Sequence, residues 1–203
     1  TGGEFYCPVC HIKNLDGKNC RDCQAASQLI AVAAFFNYQN NKVVSELIKR
    51  FKYSLATDIN QLWLRVTADF LNTIWSKSGW PTSDIVIIPV PLHRRRYRER
   101  GFNQAQLIAQ NIFEILKKYH PGVQLDDINL QRIKFTKQQA RLNRAERLSN
   151  IKGAFVYQGQ NLSSKNIILV DDVFTSGSTM QECALILKSA GALQVYGLVM
   201  ARD

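Results

Sequence analysis

Residues Asn166 to Leu187 read NIILVDDVFTSGSTMQECALIL, and this stretch decides the fold. Ile167 to Val170 is a short, uninterrupted aliphatic run, the pattern of a strand buried on both faces of a parallel sheet. Two carboxylates, Asp171 and Asp172, are expected where that strand ends, at the edge where open α/β sheets bind ligands. Thr175, Ser176, Gly177, Ser178 and Thr179 follow, small hydroxyl residues around one glycine. A helix is expected at once, with Ser178 as its N-cap and Gln181 as the capping-box partner. Met180, Cys183, Ala184 and Leu187 repeat at i, i+3, i+4, i+7, and Gly191 stands where a C-terminal cap belongs.

That layout has a chemistry. A glycine lets the backbone come close, hydroxyls and N–H groups converge, and the helix dipole favours an anion. A phosphate fits such a nest. The adjoining acids repel phosphate but accept hydrogen bonds from a sugar diol or help to hold magnesium. Strand, acid pair, nest and helix together describe a cradle for ribose 5-phosphate. The loop lacks the lysine of G-x-x-x-x-G-K-[ST] and the spaced glycines of a dinucleotide fold, which excludes both of those nucleotide-binding classes.

VDDVFTSGST resembles the phosphoribosyl-pyrophosphate (PRPP) motif of type I phosphoribosyltransferases. The resemblance implies a mostly parallel α/β sheet flanked by helices, with a hood above it. Members acting on 6-oxopurines carry an aspartate where this loop has Thr175, so hypoxanthine or guanine is not the expected acceptor.

The 203 residues carry a net charge of +10, unevenly placed. Arg94, Arg95, Arg96, Arg98 and Arg100 against Glu99 give +4. Arg132, Lys134, Lys137, Arg141, Arg144 and Arg147 against Glu146 give +5, so these two stretches hold nearly all of the excess. An anionic ligand is expected there, whether pyrophosphate, nucleic acid or both. No apolar run reaches the length of a membrane span and no secretory leader is visible, so no membrane insertion is expected.

Near the start, Cys7-Pro8-Val9-Cys10 and Cys20-Arg21-Asp22-Cys23 form C-x2-C-x9-C-x2-C. Two such knuckles place four thiolates around one tetrahedral ion, and with all four positions filled by protein the zinc would be structural. A pair of disulfides is the other reading, disfavoured in a reducing compartment. Asn14 and Gly17 suit the tight turn between the knuckles. His11 reads as a solvated surface residue. Residues 1–26 are taken as the zinc ribbon and 27–203 as the phosphoribosyltransferase-like domain.

Leu29 to Tyr38 reads as a strand. Asn41 and Asp58 are expected to cap two helices, with Val44, Leu47, Ile48 and Phe51 inside the first and Ile59, Leu62, Val66, Phe70 and Ile74 inside the second. Residues 29–80 are read as the hood, Trp63 and Trp75 as packing residues, and 84–203 as the core. Asp84 to Pro89 is a second buried strand. Pro91 and Gly101 then bracket an arginine-dense loop, and Asn103 caps a helix whose inner face is Ala105, Ile108, Ile112 and Tyr119. The phosphoribosyltransferase resemblance makes Pro91, Leu92, His93 and Arg94 the start of a pyrophosphate loop, and Arg100, fixed beside a glycine turn, is the arginine favoured for a catalytic part. His93 and His120 are left in loops without named partners, and Cys183 reads as an inert core thiol.

PVPLHRRRYRERGFNQ, joined to the four-cysteine segment, resembles the ComF family of bacterial competence proteins, as do Thr136-Lys137-Gln138-Gln139 and Arg147 to Phe155. The match runs from Cys7 to the final strand at Gln194–Met200 and implies a cytoplasmic protein with a role in DNA uptake during natural transformation. The phosphoribosyltransferase resemblance makes residues 135–150, ahead of a strand at Ala154–Tyr157, a mobile loop. Lys137, Arg141 and Arg144 would there meet pyrophosphate as charge leaves the ribose.

Two functions follow. One is an enzyme that displaces pyrophosphate from PRPP with a nitrogen nucleophile, Asp171 and Asp172 stabilising the cationic ribosyl-like transition state with magnesium present. The other is a PRPP-sensing protein that binds single-stranded DNA through its cationic loops and Tyr97. The ComF resemblance implies a third reading, binding of another competence protein such as a helicase through the zinc ribbon.

Overall fold

A computed structural model of the chain describes residues 3–37, 42–53, 67–75, 78–136 and 149–203. Asn41, Asp58, Ile59, Leu62, Trp63, Val66, Lys137, Arg141 and Arg144 lie outside the described residues.

The strands are β1 (Glu4–Tyr6), β2 (Lys13–Asn14), β3 (Ala31–Asn37), β4 (Ile85–Pro89), β5 (Gln124–Leu125), β6 (Leu130–Arg132), β7 (Phe155–Tyr157), β8 (Asn166–Phe174) and β9 (Gln194–Arg202). The helices are α1 (Lys42–Tyr53), α2 (67–75), α3 (Arg94–Arg100), α4 (Gln104–Leu116) and α5 (Ser178–Ser189). Seven strands form one sheet in the order β2-β1-β3-β9-β8-β4-β5, and β6 and β7 make a separate antiparallel ribbon. The pairs β3–β9, β9–β8, β8–β4 and β4–β5 are parallel, whereas β1 and β2 add antiparallel strands at one edge. The cysteine segment therefore extends the central sheet, and β3, read as part of a hood, is hydrogen-bonded into it beside β9.

Period-two alternation of apolar residues on each strand feeds both faces. Ile85, Ile87, Ile168, Val170, Leu198 and Met200 pack under α1, α2 and α4 through Val44, Ile48, Phe70, Ile74, Ile108 and Ile112. Val86, Ile88, Ile167, Leu169, Val195 and Val199 pack under α5 through Met180, Cys183, Ala184 and Leu187. Ile167 to Val170 are fully buried, each side chain contributing about 1.5–3 kcal/mol. Cys183 is a core thiol, pushed well above its usual pKa by burial. Trp75 packs against Trp80 and donates to Pro81 O at 2.7 Å. Tyr119 is a correction: α4 stops at Leu116, and Tyr119 lies exposed beyond it.

The two crossovers create the site. From β4 the chain passes through α4 on one face to β5, and from β8 it passes through α5 on the other face to β9. Neighbours β4 and β8 therefore send their connections to opposite sides, which opens a crevice at the carboxyl ends of these two strands.

Candidate functional site

β8 outlasts its neighbour on one side. Pairing with β4 stops at Pro89–Val170, closed by Val90 N–H donating to Val170 O at 2.8 Å, while pairing with β9 continues to Phe174–Arg202. Asp171 and Asp172 thus belong to the overhanging end of the strand and do not follow it, which corrects the expected boundary. Both are half-buried. Alternation along the strand places their carboxyls on opposite sides. Asp171 Oδ1 accepts from Asp172 N at 2.8 Å, and the field of Asp171 reaches Arg132 and Cys183 on the α5 face.

Thr175, Ser176 and Gly177 then turn the chain into α5. Gly177 has φ 72°, and a Cβ there would stand 2.5 Å from Phe174 Cζ, so the position needs glycine twice over. The expected capping box is absent. Gly177 occupies the N-cap, Ser178 is the first helical residue, and Gln181 turns its side chain to Ser27 and Pro8 O. A glycine cap has no side chain to cover the first-turn N–H groups, and that is what an anion nest requires. Ser176 Oγ and Ser178 Oγ lie 3.0 Å apart in the same turn. The far end of α5 closes as foreseen: Gly191, at φ 98°, donates to Lys188 O while Ala192 N–H reaches Leu187 O, a Schellman pair.

Across the crevice, the arginine-rich stretch is a helix, α3, where a loop was expected. His93 Nδ1 accepts from Arg95 N at 3.2 Å as its N-cap, and Gly101 (φ 82°) ends it, donating to Tyr97 O at 2.7 Å. Those two caps make a seven-residue helix from a sequence with no apolar stripe, and none of its residues is buried. Pro91, Leu92, His93 and Arg94 line an open cavity of about 500 Å³ together with Asn103, Asp127 and Arg132. Asn103 caps α4 by accepting from Ala105 N at 3.2 Å, and its Nδ2 donates to Val90 O at 3.0 Å, tying the end of β4 to the helix. Arg100, at the far end of α3, donates to Gln104 Oε1 at 3.2 Å.

The long-range partners of α3 were missed in the sequence. Arg96 Nη2 donates to Thr136 O at 3.1 Å, and Arg132 Nη2 donates to Thr136 Oγ1 at 2.5 Å. Arg95 stacks 4.7 Å and Arg96 5.9 Å over the Phe135 ring, which also lies 5.2 Å from His93. Arg132 itself lies 5.3 Å over Phe155, and its Nε is buried with no hydrogen-bond partner among the described residues. Desolvation first, then the nearby Arg96 charge, lowers the pKa of Arg132. Only its charge marked Arg132 in the sequence; Thr136 and Phe135 carried no local signal for a site.

The four cysteines meet. The Sγ atoms of Cys7, Cys10, Cys20 and Cys23 all lie within 4.8 Å of one another, with Cys7–Cys20 at 3.9 Å and Cys10–Cys20 at 3.7 Å. A tetrahedron with bonds of about 2.3 Å has edges of about 3.8 Å, so the cluster fits a zinc-sized ion with thiolate ligands. These separations exclude disulfides. Burial opposes ionisation of Cys7, but N–H groups of Cys10, Cys20 and Val9 outweigh it and bring the thiol down to about 6. Cys23 is pushed up to about 12, mainly by its hydrogen bond with Cys20. Cys7 thus gives up its proton readily, whereas Cys10 and Cys23 hold theirs more tightly. Asn14 and Gly17 build the intervening turn: Gly17 N donates to Asn14 Oδ1 at 2.6 Å, and φ 76° brings its Cα against Val32 O. His11, expected on the open surface, sets its ring edge-on to Phe174 at 5.2 Å.

No family model matches the chain. Competence protein F of Haemophilus influenzae is 34% identical over 166 residues, 78% of this chain and 68% of that protein. The chain belongs to the ComF family of competence proteins. Competence protein ComFC of Bacillus subtilis is 29% identical over 97% of this chain and 78% of its own length. The DNA utilization protein YhgH of Escherichia coli K12 is 32% identical over 76% and 66%. Among solved structures, a purine phosphoribosyltransferase from Pyrococcus horikoshii superposes with a TM-score of 0.40 at 16% identity, over 70% of this chain and 82% of that one. The AQ2163 protein of Aquifex aeolicus gives 0.41 at 11%, over 80% and 85%. Among the described residues no helix is long and apolar enough to cross a membrane.

Proposed function

We propose that this ComF-family chain binds PRPP in the crevice between β4 and β8 and transfers its phosphoribosyl group to a nitrogen acceptor in the service of DNA uptake. The observation that carries the reading is the switch-point crevice itself. It sets a glycine-capped nest and the acid-bearing end of β8 against a cationic helix that follows β4.

The 5-phosphate would take the N–H groups and hydroxyls of Thr175, Ser176, Gly177, Ser178 and Thr179, and the ribose diol would donate to Asp171 and Asp172. The hard carboxylate oxygens also suit magnesium, which supplies charge neutralisation on the pyrophosphate. Arg94, Arg96 and Arg132 face the leaving group, where planar guanidinium forks match phosphate oxygens. In the transfer the acceptor nitrogen bonds to C1′ as the C1′–O bond breaks and pyrophosphate departs with the electron pair. The carboxylates stabilise the cationic ribose between those events. Thr175 offers no carboxylate to take the acceptor's proton, so an acceptor nitrogen that is already deprotonated or has no proton to lose fits best. Lys137, Arg141 and Arg144 would close over the bound sugar, Arg100 would play a lesser part, and a structural zinc would occupy the four cysteines.

Calorimetry with PRPP and magnesium tests binding, and pyrophosphate release across a panel of nitrogen bases tests transfer. No heat with PRPP would overturn the reading. Binding without release favours the second reading, a PRPP sensor that binds single-stranded DNA. That reading draws support from Tyr97 and Phe135, each about half exposed beside Arg94, Arg95 and Arg96. DNA affinity should then fall steeply with salt.

A further inference from the structure

Gln181 stands in the first turn of α5, and its N–H closes that turn on Gly177 O at 2.9 Å. Its carboxamide leaves the helix for the cysteine segment. Nε2 donates to Ser27 Oγ at 2.7 Å and to Pro8 O at 3.5 Å, and Oε1 accepts from Gln28 N at 3.3 Å. Pro8 lies inside the first knuckle, between Cys7 and Cys10. Ser27 follows the second knuckle through the 3-10 turn Arg21–Ala26. One side chain therefore touches the first knuckle and the backbone that leaves the turn carrying the second, and it belongs to the helix turn that would hold the phosphate. A second link runs beside it. His11, next to Cys10, packs on Phe174, and the Phe174 ring fills the space that a Gly177 side chain would need.

We propose that metal capture by the four cysteines and anion capture by Thr175–Thr179 form one coupled equilibrium, with Gln181 as the positioning residue that joins them. This rests on the phosphoribosyl reading of the nest and the metal reading of the cysteines. The physical reason is local. The four sulfurs stand at ligand spacing, and a bound cation is what would tie the two knuckles to each other, so without it they are free to separate. Pro8 O and Ser27 Oγ then part, Gln181 loses one or both anchors, and the first turn of α5 frays where the phosphate must bind. Coupling is reciprocal, so the sugar must tighten the metal by the same factor that the metal tightens the sugar.

The test uses the whole chain, zinc as the metal, and PRPP with magnesium as the anion. Calorimetry on zinc-loaded and chelator-stripped protein should show PRPP affinity falling about tenfold on stripping, within the usual range for coupled sites. Competition against a coloured chelator should show zinc affinity rising by the same factor when PRPP is saturating. In Gln181→Leu both factors should shrink towards one while zinc stoichiometry stays at one. Equal PRPP affinity with and without zinc, or an undiminished factor in Gln181→Leu, overturns the proposal.

Hydrogen exchange at the amides of 178–181 judges the coupling without any sugar. Protection should fall about tenfold on stripping wild type and hardly change in Gln181→Leu. Equal protection in stripped and loaded wild type overturns the coupling even where PRPP binds. Failure of loaded wild type to bind PRPP sinks the phosphoribosyl reading alone. Should the stripped chain unfold by circular dichroism, the loaded proteins decide. Lower protection at 178–181 in loaded Gln181→Leu than in loaded wild type supports the coupling, and equal protection refutes it.

Discussion

On the β8 side of the crevice the groups offered to an anion are main-chain N–H groups, aimed by one left-handed glycine inside a single strand–turn–helix unit. On the β4 side they are guanidinium groups, gathered from α3 and from residues 132–136, up to forty positions away in sequence. A backbone wall is rigid and local, and it tolerates almost no change at its glycine. A side-chain wall is assembled by tertiary contacts, each of modest strength, and it stores an unmet charge that a ligand can satisfy. Mutation should separate the two.

The largest effect is expected at Gly177→Ala. The left-handed conformation is unfavourable for alanine, and the new Cβ would press on the Phe174 ring. Strain and overpacking together should cost about 2–4 kcal/mol in urea unfolding, with PRPP binding abolished. A loss below about 1 kcal/mol would show that the turn can relax, and the backbone account of this wall would fail.

Arg132→Met should behave in the opposite sense. It removes a half-buried charge whose buried Nε is unmet and which sits beside the Arg96 charge, so stability should hold or rise. The affinity for PRPP should meanwhile fall ten- to hundredfold, the equivalent of losing one charge-assisted hydrogen bond of about 1.5–3 kcal/mol. Stability lost in step with affinity would make Arg132 an ordinary structural residue and erase the contrast between the walls.

The same contrast explains what the sequence disclosed. Ile167 to Val170, the acids, Gly177 and the α5 stripe lie within one continuous segment, and local rules place them. Asn103 was read as a cap for the same reason, as was Gly191 at the end of α5. Where the capping box failed at Ser178 and Gln181, a tertiary partner had claimed the glutamine side chain. The helical form of α3 was hidden because charge dominates its composition, and its two caps act without an apolar stripe. Arg132, Thr136 and Phe135 were illegible because their significance lies in what crosses from α3. The β6–β7 ribbon that presents Arg132 likewise depends on pairing across the intervening residues 133–154.

The smallest effect is expected in that ribbon, and it sharpens the account of the side-chain wall. Tyr157, paired with Leu130 on β6, donates its hydroxyl to Asp126 Oδ2 at 2.9 Å. Burial first, then the hydrogen bond and charge of Asp126, raises the phenol well above its ordinary value near 10. The folded chain therefore keeps a proton that the unfolded chain releases. The bond's contribution is complete below about pH 10 and is lost as the pH climbs through the raised folded value. Tyr157→Phe should cost about 1 kcal/mol at neutral pH, reduced because the group is half-exposed. Urea unfolding should show the gap between wild type and variant closing as the pH rises above 10. A gap that stays constant or widens would mean that Asp126 does not hold the tyrosine, and that the ribbon presents Arg132 through backbone pairing alone.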